Sequence, residues 1–371
     1  MSFADAADFA LERYFAQWEF AVKHQLSASD VEPFTIGELL PFADDDARGR
    51  WDKLSLGYTE SSGLPALRHA IARQYQAVSE QDVLVVAGAE EGIFLLVHAL
   101  VGAADEVIVI TPSYQSLHEL PRALGARMRL VPLRAETQWE LDPDDVARVA
   151  SMRTRLIVVN FPHNPTGALI SADVQRRLVE IADCCGATLL SDEVYRGLEA
   201  DPAARLPAAA DLSNRAVSLG VMSKSFALPG LRIGWLATRD SALLSRAARL
   251  KDYTTICSSA PSEVLALIAL RASDKVLERS RAIVGSNRAA ASSFVASHSR
   301  HLEWIPPRAG STALPRLLDR DADVVAAALR ERENVLMVPG RIFGADPHHF
   351  RLGLGRRDLP HALESLSRIL A

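Results

Sequence analysis

Between residues 83 and 238, short runs rich in Val, Ile and Leu recur with room for a helix between most of them: VLVVA, VIVIT, RMRLVPL, RLIVVNF, ATLLSD, AVSLG and RIGWLAT. Runs this apolar cannot leave one face to water, and strands joined through helices run parallel because the crossover returns the chain to the same end of the sheet. The pattern predicts an α/β fold with a mostly parallel, seven-stranded sheet between helices. Such sheets place ligands outside the carboxyl ends of their strands. The residues directly after each run are therefore the candidates for function.

Beyond residue 240 the pattern changes to long helical stretches, SALLSRAARLKDY and then PSEVLALIALRASDKVLERSRAIVGSNRAAASSFVASH. The short runs LEWIPP, STALPRLL, VLMVPG and HFRLGLG follow, which predicts a smaller α/β domain. With 371 residues, 49% of them hydrophobic, two domains can each bury a core. The expected division is a large domain over 46–250 and a small one made of 1–45 with 251–371.

A net charge of −5 without a basic block gives no electrostatic reason to expect nucleic acid or an anionic membrane as partner. A small-molecule substrate is the default. Cys184, Cys185 and Cys257 form no disulfide framework, which fits a reducing compartment. The opening residues lack the form of a signal peptide, and the longest apolar runs fall short of a membrane span, so the expected location is cytoplasmic. No G-x-G-x-x-G follows any run; GLGRRD at Gly353 lies in the wrong setting for a dinucleotide site. No zinc-type spacing of Cys or His occurs, and no metal is expected.

Three run ends carry polar residues: NFPHNPTG after RLIVV, SDEVY completing ATLLSDEVY, and SKSF after AVSLGVM. Taken singly, each is ordinary turn or cap chemistry. In this order, and with MSKSFALPGLRIGW, they resemble the fold-type I aminotransferases, the class I/II family of pyridoxal-phosphate enzymes, over almost the whole chain. LGYTESSGLPALRHAIA, KDYTTICSSAPSEVLALIALRA and HFRLGLGR resemble more closely a subgroup loosely related to capreomycidine synthase-like enzymes.

The resemblance implies pyridoxal 5'-phosphate as cofactor, and the residues answer its needs. An aldehyde requires a primary amine to hold it as a Schiff base, which Lys224 supplies; once displaced, the same amine can move the proton at substrate Cα. A carboxylate under the ring nitrogen keeps it protonated, and Asp192 is placed for that. The matching family positions make Tyr195 and Asn164 donors to the phenolic oxygen and Tyr114 the residue that stacks on the ring. For the phosphate, AGAEEGIFLLV turns from strand to helix at Gly88, so the amides of Ala89 and Glu90 can face a dianion, although acids also suit a helix N-terminus for their own sake. Ser223 and Arg232 would complete the cup, with Arg351 taking the substrate carboxylate. Tyr58 matches the family loop that reaches across a two-fold interface to the neighbouring phosphate, so a homodimer with shared sites is implied.

Two departures from the family stand out. Val221 replaces a serine common three residues before the lysine, leaving one phosphate hydrogen bond missing or supplied by Ser258 or Ser259 of a partner chain. EPFTIGELL replaces the commoner glycine-proline loop. His163 reads as a structural histidine and Cys257 as a packed residue. The resulting expectation is a homodimeric aminotransferase acting on an α-amino acid. A lyase or cyclase is the alternative, because the same apparatus serves all three. A non-catalytic ligand sensor, as in some transcription regulators, is the remote one, since the chain shows no basic helix for DNA.

Overall fold

The computed structural model describes residues 6–371. Each of the seven runs becomes a strand of one sheet: β1 (Val83–Val86), β2 (Glu106–Thr111), β3 (Arg127–Pro132), β4 (Thr154–Asn160), β5 (Thr188–Asp192), β6 (Ala216–Val221) and β7 (Gly234–Ala237). Their order is β1-β7-β6-β5-β4-β2-β3. Only β7 runs antiparallel, between β1 and β6; the other neighbours pair in parallel. β1, β5 and β6 are buried at every position, as strands covered on both faces must be.

Two apolar layers sandwich this sheet. One holds Leu84, Val86, Ile93, Val107, Leu156, Leu190, Leu219 and Leu236; the other holds Ile108, Ile110, Ile157, Leu178, Ile181 and Leu189. Alternate residues of one strand enter opposite layers, as the two-residue period of a strand demands. Close approach also fixes Gly220: a Cβ there would lie 2.2 Å from Trp235 Cε2, across the β6–β7 pair.

The helices that matter for the site are α1 (Ala10–Trp18), α2 (Gly88–Leu100), α3 (Ala172–Cys185), α4 (Ser241–Lys251), α5 (Ala260–Arg271) and α6 (Ser273–Ser297). α3 starts on a Ser171 cap and stops on Gly186 at φ +67, a left-handed turn that glycine adopts without a Cβ clash. The C-terminal runs form short strands: Phe350–Gly353 pairs antiparallel with Thr312–Ala313 and with Val338–Pro339. The N-terminal segment after α1 belongs to this same small sheet region, since His24–Gln25 pairs in parallel with Val335–Leu336. Among the described residues no helix is long and apolar enough to cross a membrane.

Candidate active site

β4, β5 and β6 end side by side, and their last residues build the floor of the site. Asn160 and Asp192, the final residues of β4 and β5, are register partners. Asn160 ties the two ends together: its Nδ2 donates to Asp192 O at 3.0 Å, and its Oδ1 accepts from the Asn164 amide at 2.8 Å. Asn160 went unnoticed in the sequence because it reads as the last strand residue before a turn. Asn164 Oδ1 is buried without a hydrogen bond.

Asp192 and Glu193 are adjacent, both buried, and differently partnered. Glu193 is bound by the Ser218 hydroxyl at 2.9 Å and the Ala209 amide at 2.8 Å, so it braces the scaffold. Asp192 accepts from the Val194 amide at 3.3 Å. Burial pushes the Asp192 carboxyl up to about 7, against the opposing effects of that amide and of Lys224. A buried carboxylate of this kind gains most from a cation seated beside it.

Lys224 follows β6 in the bend after Val221, and its Nζ donates to Ser29 Oγ at 2.8 Å. Desolvation lowers its pKa; Asp30, Asp192 and Glu12 oppose the shift while Arg351 adds to it. Tyr195 is 1% exposed, and its hydroxyl, raised by burial, has Arg351, Ser29 and Asp192 as electrostatic neighbours. Behind its ring the chain passes at Gly310, φ +77, whose Cβ would stand 3.6 Å from Tyr195 Cγ.

Arg351, on the strand Phe350–Gly353, is also 1% exposed. Its Nε donates to Ser27 O at 3.0 Å and its guanidinium lies 4.9 Å from the Phe343 ring centre, but Nη2 has no hydrogen-bond partner. A buried guanidinium with free donors is an anion site by its chemistry, because an unsatisfied buried charge is costly.

At the start of α2, Gly88 has φ +83 and abuts Arg232: a Cβ on Gly88 would lie 2.6 Å from Arg232 Nη2. A Cβ on Gly234 would lie 3.0 Å from the Ala89 nitrogen. Both glycines thus keep side chains away from the helix N-terminus, where first-turn amides and an arginine converge, the arrangement that suits a phosphate. Glu90 is pushed up to about 7 by burial, with the Ser116 hydroxyl and Arg232 opposing. Ser223 is half-buried beside Lys224, and Val221 lies in the core at 3% exposure.

Tyr114, after β2, is half-buried; its hydroxyl donates to Glu12 Oε1 at 3.3 Å and its ring lies 5.1 Å from that of Phe9. α1 therefore lies over the site, held further by Gln115, which bonds to Asp8 O at 2.9 Å and to the Ala10 amide at 2.8 Å. Phe15 comes within 5.8 Å of the Arg351 guanidinium. Glu12, Phe15 and Ser29 carry no motif in the sequence; the departure noted from the family, EPFTIGELL, begins only after Ser29.

Tyr58 stands apart from this cluster. It is 91% exposed and borders a surface pocket with Leu56, Gly57, Cys257, Ser258 and Ser259. His163 is buried against Thr166, Nδ1 to Oγ1 2.8 Å, and burial pushes its pKa down to about 3, which leaves it a neutral structural group. Among the described residues no group of His, Cys, Asp and Glu is arranged to hold a metal ion.

An amine, a buried carboxyl, the buried Tyr195 hydroxyl and Asn164 side chain and a glycine-lined helix N-terminus fit pyridoxal phosphate from aldehyde to phosphate. The α/β scaffold and the chemistry gathered at its strand ends suit a pyridoxal-phosphate-dependent enzyme. The profile of the class I and II aminotransferases matches residues 52–366, and the chain belongs to that family. It is 34% identical to capreomycidine synthase of Streptomyces vinaceus over 99% of this chain and 93% of that one. Among solved structures, a PLP-dependent aminotransferase from Streptococcus suis superposes with TM-score 0.92 at 28% identity, covering 99% of this chain and 98% of that one. The PLP-dependent cyclase OrfR superposes with TM-score 0.90 at 32% identity, covering 98% and 97%.

Proposed function

We propose that this chain is an aminotransferase for an α-amino acid, working as a homodimer. The observation that carries the reading is the grouping of Lys224, Asp192 and Arg351, whose Nη2 has no hydrogen-bond partner, as electrostatic neighbours at one end of the sheet. In this reading residues 46–250 form the cofactor-holding domain, and 1–45 with 251–371 the smaller one.

When bound, pyridoxal phosphate supplies an aldehyde that takes amines and a ring that accepts the electron pair freed at Cα. Lys224 holds the aldehyde and then, as a free amine, moves the proton at substrate Cα. Asp192 keeps the ring nitrogen protonated, while Tyr195 and Asn164 donate to the phenolic oxygen and Tyr114 covers the ring. Gly88, Ala89, Glu90, Ser223 and Arg232 hold the phosphate, the first three through backbone at the start of α2. Arg351 orients the substrate by its carboxylate, with Asn164 alongside.

A transaminase converts the cofactor to its amine form as a 2-oxo acid appears when amino acids are supplied to the purified protein. Release of ammonia or of a cyclised product, with the cofactor unchanged, would instead assign the lyase or cyclase reading; the 34% identity to capreomycidine synthase is the reason to look for the cyclised product. Binding of amino acid without any turnover or α-proton exchange would assign a sensor.

The face of α1 toward the site bears on substrate choice. Glu12, Phe15 and Glu19 share one face by helical spacing, Glu19 keeping helical dihedrals just past the helix end. Glu12 and Lys224 are electrostatic neighbours, as are Glu19 and Lys224. Two carboxylates near Lys224, with a guanidinium to take the substrate carboxylate, suit an amino acid with a cationic side chain. Glu12→Gln should lower kcat/KM for lysine, ornithine or arginine about tenfold and change it less than about twofold for neutral amino acids. Equal losses for both classes would remove Glu12 from this role.

Tyr58 would serve the partner's phosphate, consistent with its exposure on its own subunit. If Tyr58→Phe impairs the homodimer, mixing it with inactive Lys224→Ala subunits should restore one site in each mixed dimer. The restored site pairs Lys224 of one chain with Tyr58 of the other. No gain on mixing would place Tyr58 in its own subunit's service.

A further inference from the structure

The hydroxyl nearest the candidate catalytic amine comes from neither the sheet nor any strand-end motif. It belongs to Ser29, 195 residues earlier in the chain, whose Oγ accepts from Lys224 Nζ at 2.8 Å. The segment that delivers it is held by its backbone. Gly353 N donates to Leu26 O at 2.8 Å, Leu26 N to Leu336 O at 2.9 Å, and Glu32 N to Gly355 O at 2.9 Å. Ser311 Oγ donates to Ser29 O at 2.6 Å, and Arg356 Nη2 reaches both oxygens of Asp30 at 2.9 and 3.0 Å.

Two glycines make this approach possible. A Cβ on Gly353 would lie 2.1 Å from Ala28 O, and one on Gly355 would lie 2.0 Å from Asp30 O. The chain on either side of Ser29 is therefore packed backbone to backbone against the strand that carries Arg351. This fixes the serine's Cα and brings its hydroxyl within hydrogen-bond distance of the amine, with the Tyr195 hydroxyl as its other polar neighbour. None of these clamping bonds uses the Ser29 hydroxyl itself.

We propose that Ser29 is a positioning residue for Lys224: it accepts a hydrogen bond from the ammonium, fixes the direction of Nζ and makes the amine a stronger base. The inference rests on the role given to Lys224 above. A hydroxyl accepting from a charged amine stabilises the charged form. Desolvation around Lys224 acts the other way. Ser29 thus offsets part of the loss of basicity that burial imposes, and holds the amine in one direction.

The test uses Ser29→Ala and Ser29→Thr, with Lys224→Ala as control, each checked for wild-type circular dichroism. Cofactor-free protein is mixed with pyridoxal phosphate, and the rate of covalent capture is followed against pH. Capture requires the neutral amine, so removal of the acceptor should lower the pH of half-maximal rate by about one unit. Below that pH, Ser29→Ala should capture faster than wild type, the opposite of what structural damage does. Ser29→Thr should restore the wild-type midpoint. In the loaded enzyme, exchange of the substrate α-proton in deuterated water should fall roughly three- to tenfold in Ser29→Ala, with KM little changed. An unmoved midpoint in folded Ser29→Ala overturns the proposal, as does a threonine variant that behaves like alanine. If Lys224→Ala captures the cofactor like wild type, both this inference and the role of Lys224 fall together. Capture that depends on Lys224 but ignores Ser29 removes Ser29 alone.

Discussion

Lys224→Ala should abolish covalent capture of pyridoxal phosphate and lower turnover by roughly 10⁴-fold or more, beyond the range usual for a single positioned acid-base group because anchoring and proton transfer are lost together. The fold should survive. Among the described residues the side-chain amine's one hydrogen bond goes to Ser29, and burial depresses the amine's pKa. The sign of that shift sets the expected stability. A lysine whose folded pKa is depressed loses stability as pH falls from its unfolded value, near 10.4, through the folded one, so at neutral pH its charge opposes folding. The cofactor-free alanine variant should therefore melt within about 2 °C of wild type, or above it. Retained covalent capture, seen as an undiminished long-wavelength absorption band after dialysis, would refute the assignment.

How much of this could be read in the chain depended on the range of the interactions involved. The seven sheet strands were legible because their β-branched and apolar runs report a local requirement, burial on both faces, that recurs within each run. The placement of Asp192 and Lys224 was legible for a related reason: each stands in or just after a run's carboxyl end, where ligands of parallel sheets gather. The short strands of the small region were legible as runs but not in extent, since pairs such as Thr312–Ala313 span two residues and are set by their partners.

The N-terminal contribution was not legible. Glu12 meets Tyr114 across 102 positions and Ser29 meets Lys224 across 195. Such contacts come from docking, and no local period records them. Neither Glu12 nor Ser29 stands in a motif or at the end of an apolar run. Arg351 lies between: its run HFRLGLG reads as a strand, but only the resemblance singled out the arginine. Its burial to 1% exposure and its unpartnered Nη2 are what separate it from an ordinary surface arginine.

Asp192→Asn should leave cofactor capture intact while lowering turnover by roughly 10² to 10⁴, the rate equivalent of the about 3–5 kcal/mol lost when one partner of a buried charged pair is removed. The amide keeps the size of the carboxyl and can still accept from the Val194 amide. It cannot offer the negative charge that keeps the ring nitrogen protonated. The pH dependence of stability supplies an independent check. Without cofactor the Asp192 carboxyl is pushed up to about 7 by burial, from an unfolded value near 3.9. Between those values the native chain holds a proton that the unfolded chain has released, so this residue's contribution to stability falls as pH rises and levels off above about 7. In the cofactor-free protein the difference in melting temperature between wild type and Asp192→Asn should change over that interval, with the variant gaining relative to wild type as pH rises. Binding the cofactor should reduce the wild-type loss, because a protonated ring nitrogen then meets the carboxylate. A pH-independent difference with near-normal turnover would place the cation-holding role on another residue.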